Sequence, residues 1–191
     1  MLHPNISRLT KNTPVESVNY FVDANVWIYS LQAYESLTDY QDVYYQFFFN
    51  IHDSTLDKPP KILLSSLLVS ELINTYLRRF AMKEYKLAEA VPVDADFEFK
   101  RDYRPTKHFK DSYTRIVDDI LAMKSSVRFM SDSLICSEIE SGFDLSKILN
   151  RSIQKFDYND YIYYSMCREL NKTEPVIILT NDSDFQITDL T

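Results

Sequence analysis

Glycine is almost absent from this chain of 191 residues, which has one, at Gly142. A dinucleotide-binding G-x-G-x-x-G turn and a phosphate-binding Walker loop each need several glycines, because the backbone must approach the phosphates closely. The G-x-S-x-G turn that presents the nucleophile of many hydrolases is absent as well. The sequence therefore excludes Rossmann-type cofactor binding and P-loop nucleotide hydrolysis.

Cysteines are also few, since Cys136 and Cys167 lie far apart and form no C-x-x-C zinc pattern. The simplest interpretation of two separated cysteines is that both are reduced thiols in a cytosolic protein. No segment near the start has the layout of a signal peptide, and no apolar run approaches the ~18 residues of a membrane span. We therefore expect a cytoplasmic protein with no membrane partner.

The overall composition is that of a folded protein, with 45% hydrophobic and 14% aromatic residues. A chain of this length can bury a sizeable core, and one domain is the default expectation. The formal net charge of −7 is not typical of a nucleic-acid-binding protein. A metal site built from acids lowers the total by itself, so the distribution of charge matters more than its sum.

Short apolar runs alternate with segments of helical periodicity along most of the chain. This alternation predicts parallel βαβ units, and so an α/β fold with a short, mostly parallel central sheet. Residues 1–19 are expected to be a tail and residues 20–191 one domain, in which 91–110 form an irregular basic insertion. The predicted strands are 20–23, 62–65, 127–130 and 176–179, and the main predicted helices are 35–52, 66–80, 109–124 and 156–170.

Acidic residues follow three of the predicted strands. Asp23 ends the first strand, Glu71 lies on the helix after the second, Asp182 and Asp184 end the last, and Asp160 opens the helix before it. The carboxyl ends of parallel strands meet at one edge of a sheet, where we expect these acids to converge. Such a cluster cannot ionise fully without a cation, and all-oxygen ligation indicates Mg²⁺ or Mn²⁺. Hydrolysis of a phosphodiester suits that kind of site.

Four motifs between residues 20 and 185 resemble, in this order, those of the PIN-domain family. Its members are metal-dependent ribonucleases, and they include the toxins of many bacterial toxin–antitoxin pairs. The resemblance covers nearly the whole chain. The motifs are a hydrophobic strand ending in Asp23-x-Asn25, Ser66-x-x-x-Ser70-Glu71-Leu72 on a helix, Asp157-x-x-Asp160 opening a helix, and a hydrophobic strand ending in Thr180-x-Asp182-x-Asp184-Phe185.

The resemblance implies a three-layer α/β/α domain with the activity of an endoribonuclease on single-stranded RNA. Thr180 and Asn25 match polar residues that hydrogen-bond the site's carboxylates or the attacking water. By analogy alone, it also implies a homodimer and an inhibitory, antitoxin-like protein partner. The implied ligands of Mg²⁺ or Mn²⁺ are Asp23, Glu71, Asp160, Asp182 and Asp184.

Each of these acids also has a plain structural interpretation. Asp23 could cap the helix that follows it. Glu71 could be a solvated acid paired with Arg78 on the same helix. Residues 181–184 have the composition of a turn.

For the third acid of the site, Asp157 and Asp160 are alternatives. Asp160 adjoins the helical run that follows and is preferred as a metal ligand. Asp157 is better placed as a helix cap or as a residue that supports the ligands.

One basic stretch has aromatic residues between its cations. Bases stack on aromatic rings while cations neutralise phosphates, so this stretch is a candidate for RNA contact. A solvated surface is the alternative interpretation. The RNA-contact candidates are Lys100, Arg101, Arg104, Lys107 and Lys110, with Phe99, Tyr103 and Phe109 between them.

Two other functions remain open at this point. One is a structure-specific DNA nuclease on a related fold. The other is a non-catalytic PIN-like scaffold that binds RNA or protein partners.

Overall fold

A computed structural model describes residues 14–31, 38–131 and 158–180 of the chain. The chain divides into two compact units, which we name the sheet unit (Met1–Ser66 and Ser126–Thr191) and the helical unit (Leu67–Ser125). The described elements are β1 (Asn19–Val22), α1 (Ala24–Leu31), α2 (Asp39–His52), β2 (Lys61–Leu64), α3 (Ser66–Thr75), a π-helical segment (Tyr76–Ala81), α4 (Met82–Ala88), a second π-helical segment (Phe99–Tyr103), α5 (Lys107–Ala122), β3 (Val127–Phe129), α6 (Tyr158–Leu170) and β4 (Val176–Leu179).

In the part of the chain that the structure describes, the sheet has four strands in the order β3-β2-β1-β4, and every pair of neighbours is parallel. Phe21 of β1 stands opposite Leu63 of β2 on one side and Ile178 of β4 on the other. All four residues of β1 are buried, as expected for a central strand covered on both faces. The predicted α/β fold with a parallel central sheet is confirmed.

Helices cover both faces of this sheet. Consecutive strand residues point to opposite faces. Tyr20 packs edge-on against Phe47 of α2, with ring centroids 5.3 Å apart, and Phe21 packs against Tyr163 of α6 at 5.0 Å. The helices α2 and α6 therefore lie on opposite faces, and the sheet unit has the expected α/β/α layers.

The helical unit begins with an almost unbroken helical stretch. α3, the first π-helical segment and α4 follow one another from Ser66 to Ala88. Ala90 lies two residues beyond the end of this stretch, and its φ of 50° is in the left-handed region. The amide of Val91 donates to the Lys86 carbonyl (2.9 Å) and that of Ala90 to the Leu87 carbonyl (3.3 Å). These bonds form a Schellman cap, a position where glycine is the usual residue.

Residues 91–110 were expected to be irregular, and part of this segment is helical. Phe99–Tyr103 forms the second π-helical segment, and α5 begins at Lys107. Thr106 caps α5, because its hydroxyl oxygen accepts from the Phe109 amide at 3.0 Å. Among the described helices, none combines the length and the apolar character that crossing a bilayer requires.

Candidate functional site

Asp23 lies at the junction of β1 and α1. Its backbone carbonyl accepts from the amides of Val26 and Trp27, both at 3.0 Å, so Asp23 is the N-cap residue of α1. The residue is only 7% exposed. A buried carboxylate needs donors or a cation, and the helix N-terminus supplies part of that compensation. The cap interpretation and the ligand interpretation of Asp23 are therefore compatible.

Thr180 lies beside Asp23 because β4 pairs with β1. Val22 stands opposite Leu179 in the ladder, and the amide of Asp23 donates to the Leu179 carbonyl at 2.9 Å. The Thr180 hydroxyl donates to Oδ2 of Asp23 at 3.1 Å. The structure thus brings together two of the predicted site residues, which are 157 positions apart in sequence.

Tyr44 of α2 also reaches this point, although it is not among the predicted site residues. Its hydroxyl donates to the Thr180 carbonyl at 3.1 Å, and its ring lies 6.3 Å from that of Tyr29 on α1. In the sequence, Tyr44 belongs to an aromatic stripe that indicates core packing. Only its hydroxyl group distinguishes it from the apolar residues of that stripe. A hydrogen-bonded hydroxyl is also common among buried tyrosines that have no functional role.

The strand order also indicates a binding site at this corner of the sheet. From β1 the chain proceeds to β2 and β3 on one side, whereas β4 lies on the other side of β1. The boundary between β1 and β4 is therefore the topological switch point of the sheet. In open α/β sheets, ligands bind outside the carboxyl ends of the strands at such a point. Asp23 and Thr180 directly follow those two carboxyl ends.

Asp160 lies in the first turn of α6 and is half-buried. α6 ends at Leu170 and β4 begins at Val176, so the helix and the strand run in opposite directions. The N-terminal end of α6 therefore points towards the carboxyl edge of the sheet, the edge that carries Asp23. Asn25 lies in the first turn of α1 and is also half-buried.

Glu71 belongs to the helical unit, where it lies half-buried in the second turn of α3. Arg78 was considered as its partner from the sequence. The guanidinium of Arg78 lies over the Phe99 ring, 4.3 Å from the centroid. The predicted residues Asp157, Asp182 and Asp184 fall outside the described residues.

Whether this corner could hold a metal ion depends on which donor atoms are present there. In the described ranges, no three His, Cys, Asp or Glu side chains form a group that could hold a metal ion. Two of the five predicted ligands lie outside those ranges. The donors that are described in the sheet unit, which are the carboxylates of Asp23 and Asp160 and the hydroxyl of Thr180, are all oxygen atoms. This chemistry suits Mg²⁺ or Mn²⁺ and fits the predicted ion.

The predicted RNA-contact residues fall into two groups in the structure. Arg101 contacts the carboxylates of Asp96, Glu98 and Asp102, and the hydrogen bond to Asp102 raises the pKa of its guanidinium. Lys107 pairs with Asp111 at 2.8 Å. Within the described part of the chain, no ion pair involves the other three candidates, which are all exposed: Lys100, Arg104 and Lys110.

Tyr103, one of the aromatic residues between these cations, is fully buried. The hydroxyl of Tyr103 lies 3.0 Å from Nδ1 of His108, and burial raises the pKa of this hydroxyl. Its ring also packs against those of Tyr85 and Phe109. Tyr103 therefore belongs to the core of the helical unit and is not placed to stack on a base.

No family model, no curated protein and no solved structure matches this chain. The assignment to a family stays a prediction. The likeness to PIN domains accordingly rests on the sequence motifs, and the fold class rests on the sheet.

Proposed function

We propose that this protein is a Mg²⁺- or Mn²⁺-dependent endoribonuclease that hydrolyses phosphodiester bonds of single-stranded RNA. One observation carries the proposal. A buried carboxylate, Asp23, ends β1 at the switch point of a parallel sheet and accepts a hydrogen bond from Thr180 at the end of β4. Burying a carboxylate costs free energy unless donors or a cation compensate for it, and a bound divalent ion would add to the compensation that Thr180 and the helix N-terminus supply.

The proposed role of each side chain follows from the sequence motif to which it belongs. Asp23 and Asp160 would hold the ion, together with Glu71, Asp182 and Asp184 as the sequence predicts. When bound, a divalent ion of this kind lowers the pKa of a bound water and neutralises charge on the phosphoryl group.

The contacts around Asp23 fix its orientation. The Thr180 hydroxyl holds Oδ2, and the Tyr44 hydroxyl in turn holds the carbonyl of Thr180. The dipole of α1 stabilises a negative charge at its N-terminus by about 0.3–1 kcal/mol. Preorganised ligands of this kind favour tight binding of a cation, because little further ordering is needed on binding.

The test measures cleavage and metal binding separately. Fluorescently labelled single-stranded RNA is incubated with the protein in Mg²⁺, in Mn²⁺ or in EDTA, and the thermal shift caused by Mn²⁺ is recorded in parallel. We expect cleavage in either metal and none in EDTA. Asp23→Asn should abolish cleavage and most of the Mn²⁺-induced stabilisation, because an ion that binds only the folded state stabilises it by mass action.

Asp57→Asn is the matched control, since it removes one exposed carboxylate from the same unit. It should leave both readouts unchanged. The proposal fails if the wild-type protein cuts no RNA in either metal, or if Asp23→Asn and Asp57→Asn behave alike. Preferred cleavage of flap DNA would favour the DNA nuclease instead, and RNA binding without any cleavage would favour the scaffold.

A further inference from the structure

The two units differ in the balance of their charges. The helical unit carries eleven Lys and Arg residues against ten Asp and Glu, whereas the remaining residues carry ten against eighteen. The helical unit therefore has a formal charge of +1, and the remaining residues have a formal charge of −8. A polyanion that meets this protein is repelled least by the helical unit.

Within the helical unit, three cations pair with five of the ten acids. Arg101 forms ion pairs with Asp96, Glu98 and Asp102, and Lys107 forms one with Asp111. Arg115 contacts Glu84 at 3.5 Å. In the described residues, seven other exposed cations of the unit have no ion pair. One of them, Lys124, follows the C-terminal end of α5. We name the other six the cation patch: Arg78, Arg79, Lys83, Lys100, Arg104 and Lys110.

Two segments of the patch meet through the stacking of Arg78 on Phe99. The sequence neighbours of this pair, Arg79 and Lys100, are exposed cations. Each of these has another cation four residues later, since Arg79 is followed by Lys83 and Lys100 by Arg104. Side chains at this spacing are neighbours on a helical surface, and like charges there repel each other. A bound anion would relieve that repulsion.

Aromatic rings lie beside these cations. Phe99 packs edge-on against Phe109 at 5.8 Å, and Phe109 is followed along α5 by Tyr113 at 6.3 Å with an interplanar angle of 34°. Tyr113 is 45% exposed. Lys110 lies on the same helix, between Phe109 and Tyr113 in sequence. The surface therefore combines exposed cations with an accessible aromatic ring.

We propose that the cation patch and Tyr113 form a binding surface for single-stranded nucleic acid. Cations that have no acidic partner neutralise phosphates, and an exposed ring beside them offers a stacking partner for a base. An acidic protein segment would use the cations but would not need the ring. The surface belongs to the helical unit alone, so its binding of nucleic acid does not depend on the nuclease activity proposed above.

Binding is measured by fluorescence anisotropy with labelled oligouridylate RNA and its DNA counterpart, in EDTA so that no metal-dependent cleavage occurs. The test variant is Lys100→Gln with Arg104→Gln. Its control is Lys58→Gln with Lys124→Gln, which removes two exposed charges outside the patch. We expect roughly tenfold weaker binding for the test variant and less than a twofold change for the control. The salt dependence of log K should become shallower by about 1.4 for two lost phosphate contacts.

Tyr113→Ala tests the stacking step. Because the side chain is half-exposed, the variant should keep its fold, which circular dichroism checks. Losing one stacked base should weaken binding by about 1–3 kcal/mol, which is roughly 5- to 150-fold. Equal binding of RNA and DNA identifies a general single-strand surface, and preference for RNA identifies RNA as the ligand.

Three results would overturn the proposal. The first is equal affinity of the patch variant and its charge-matched control. The second is unchanged affinity of Tyr113→Ala. The third is binding of polyglutamate as tight as that of RNA and equally sensitive to the patch variant, which would assign the surface to an acidic protein. In each case the cleavage assay with Asp23→Asn still decides the nuclease proposal independently.

Discussion

Replacing Thr180 with Val removes one hydroxyl and keeps the shape of the side chain. The lost hydrogen bond joins Thr180 Oγ1 to Oδ2 of Asp23 at 3.1 Å, and its acceptor is a buried carboxylate. Hydrogen bonds to charged groups contribute about 1.5–3 kcal/mol. We therefore expect Thr180→Val to lower the free energy of unfolding of the sheet unit by that amount at neutral pH, and Thr180→Ser to lower it much less.

Trp27 provides the assay, because it is the single tryptophan of the chain and is fully buried in α1. Its fluorescence during urea denaturation follows the unfolding of the sheet unit. A double-mutant cycle of Thr180→Val with Asp23→Ala isolates the pair, since the separate costs of each substitution cancel. The coupling energy should be at least about 1.5 kcal/mol.

The reasoning is refuted if the coupling energy is below about 0.5 kcal/mol, the level expected for independent sites. It is also refuted if Thr180→Ser is as destabilised as Thr180→Val. In either case the hydroxyl would not be what holds the Asp23 carboxylate at the end of β1.

Three further outcomes are expected. Tyr44→Phe should cost about 0.5–1.5 kcal/mol by urea denaturation, because it removes the bond to the Thr180 carbonyl, while the neighbouring Tyr45→Phe should cost nothing measurable. Ala90→Gly should raise stability by about 0.5–1 kcal/mol, since Ala90 has a left-handed φ, and a decrease would contradict the assigned cap. Arg128 lowers the pKa of Glu174, with help from Asn19. The stabilisation that Glu174 gains from these contacts is therefore fully present above its pKa in the unfolded chain, about 4.3. It is lost as the pH falls through the pKa of Glu174 in the folded protein. Glu174→Gln should cost at most about 1 kcal/mol at pH 7 for this solvent-screened pair, and its stability should converge with wild type in acid.

Much of the fold could be predicted because its signals are local. Val176–Leu179 is a strand in both sequence and structure, since an apolar and largely β-branched run after a proline has few alternatives. The same holds for the strand that ends before Asp23, and the alternation with helices was enough to predict a parallel sheet. Residues 99–103 were missed, because short π-helical turns have no distinct periodicity.

The candidate site was predictable only in part. Asp23 follows β1 as its sequence indicated, whereas the contact of Tyr44 with Thr180 joins residues 136 positions apart. Arg101 and Lys100 are adjacent cations, and the sequence predicts both equally as RNA-contact residues. The chain fold places three carboxylates on Arg101 and none on Lys100 among the described residues, so only the structure separates them.

The sequence by itself therefore determined the strands and the main helices, that the sheet is parallel, and that Asp23 stands at a strand end. The tertiary structure decided the strand order β3-β2-β1-β4, the meeting of Asp23 with Thr180, and the division of the basic stretch into paired and unpaired cations. The physical reason is the range of the forces involved. Hydrophobic periodicity and capping act over a few residues, whereas strand pairing and ion pairing depend on which distant segments pack together.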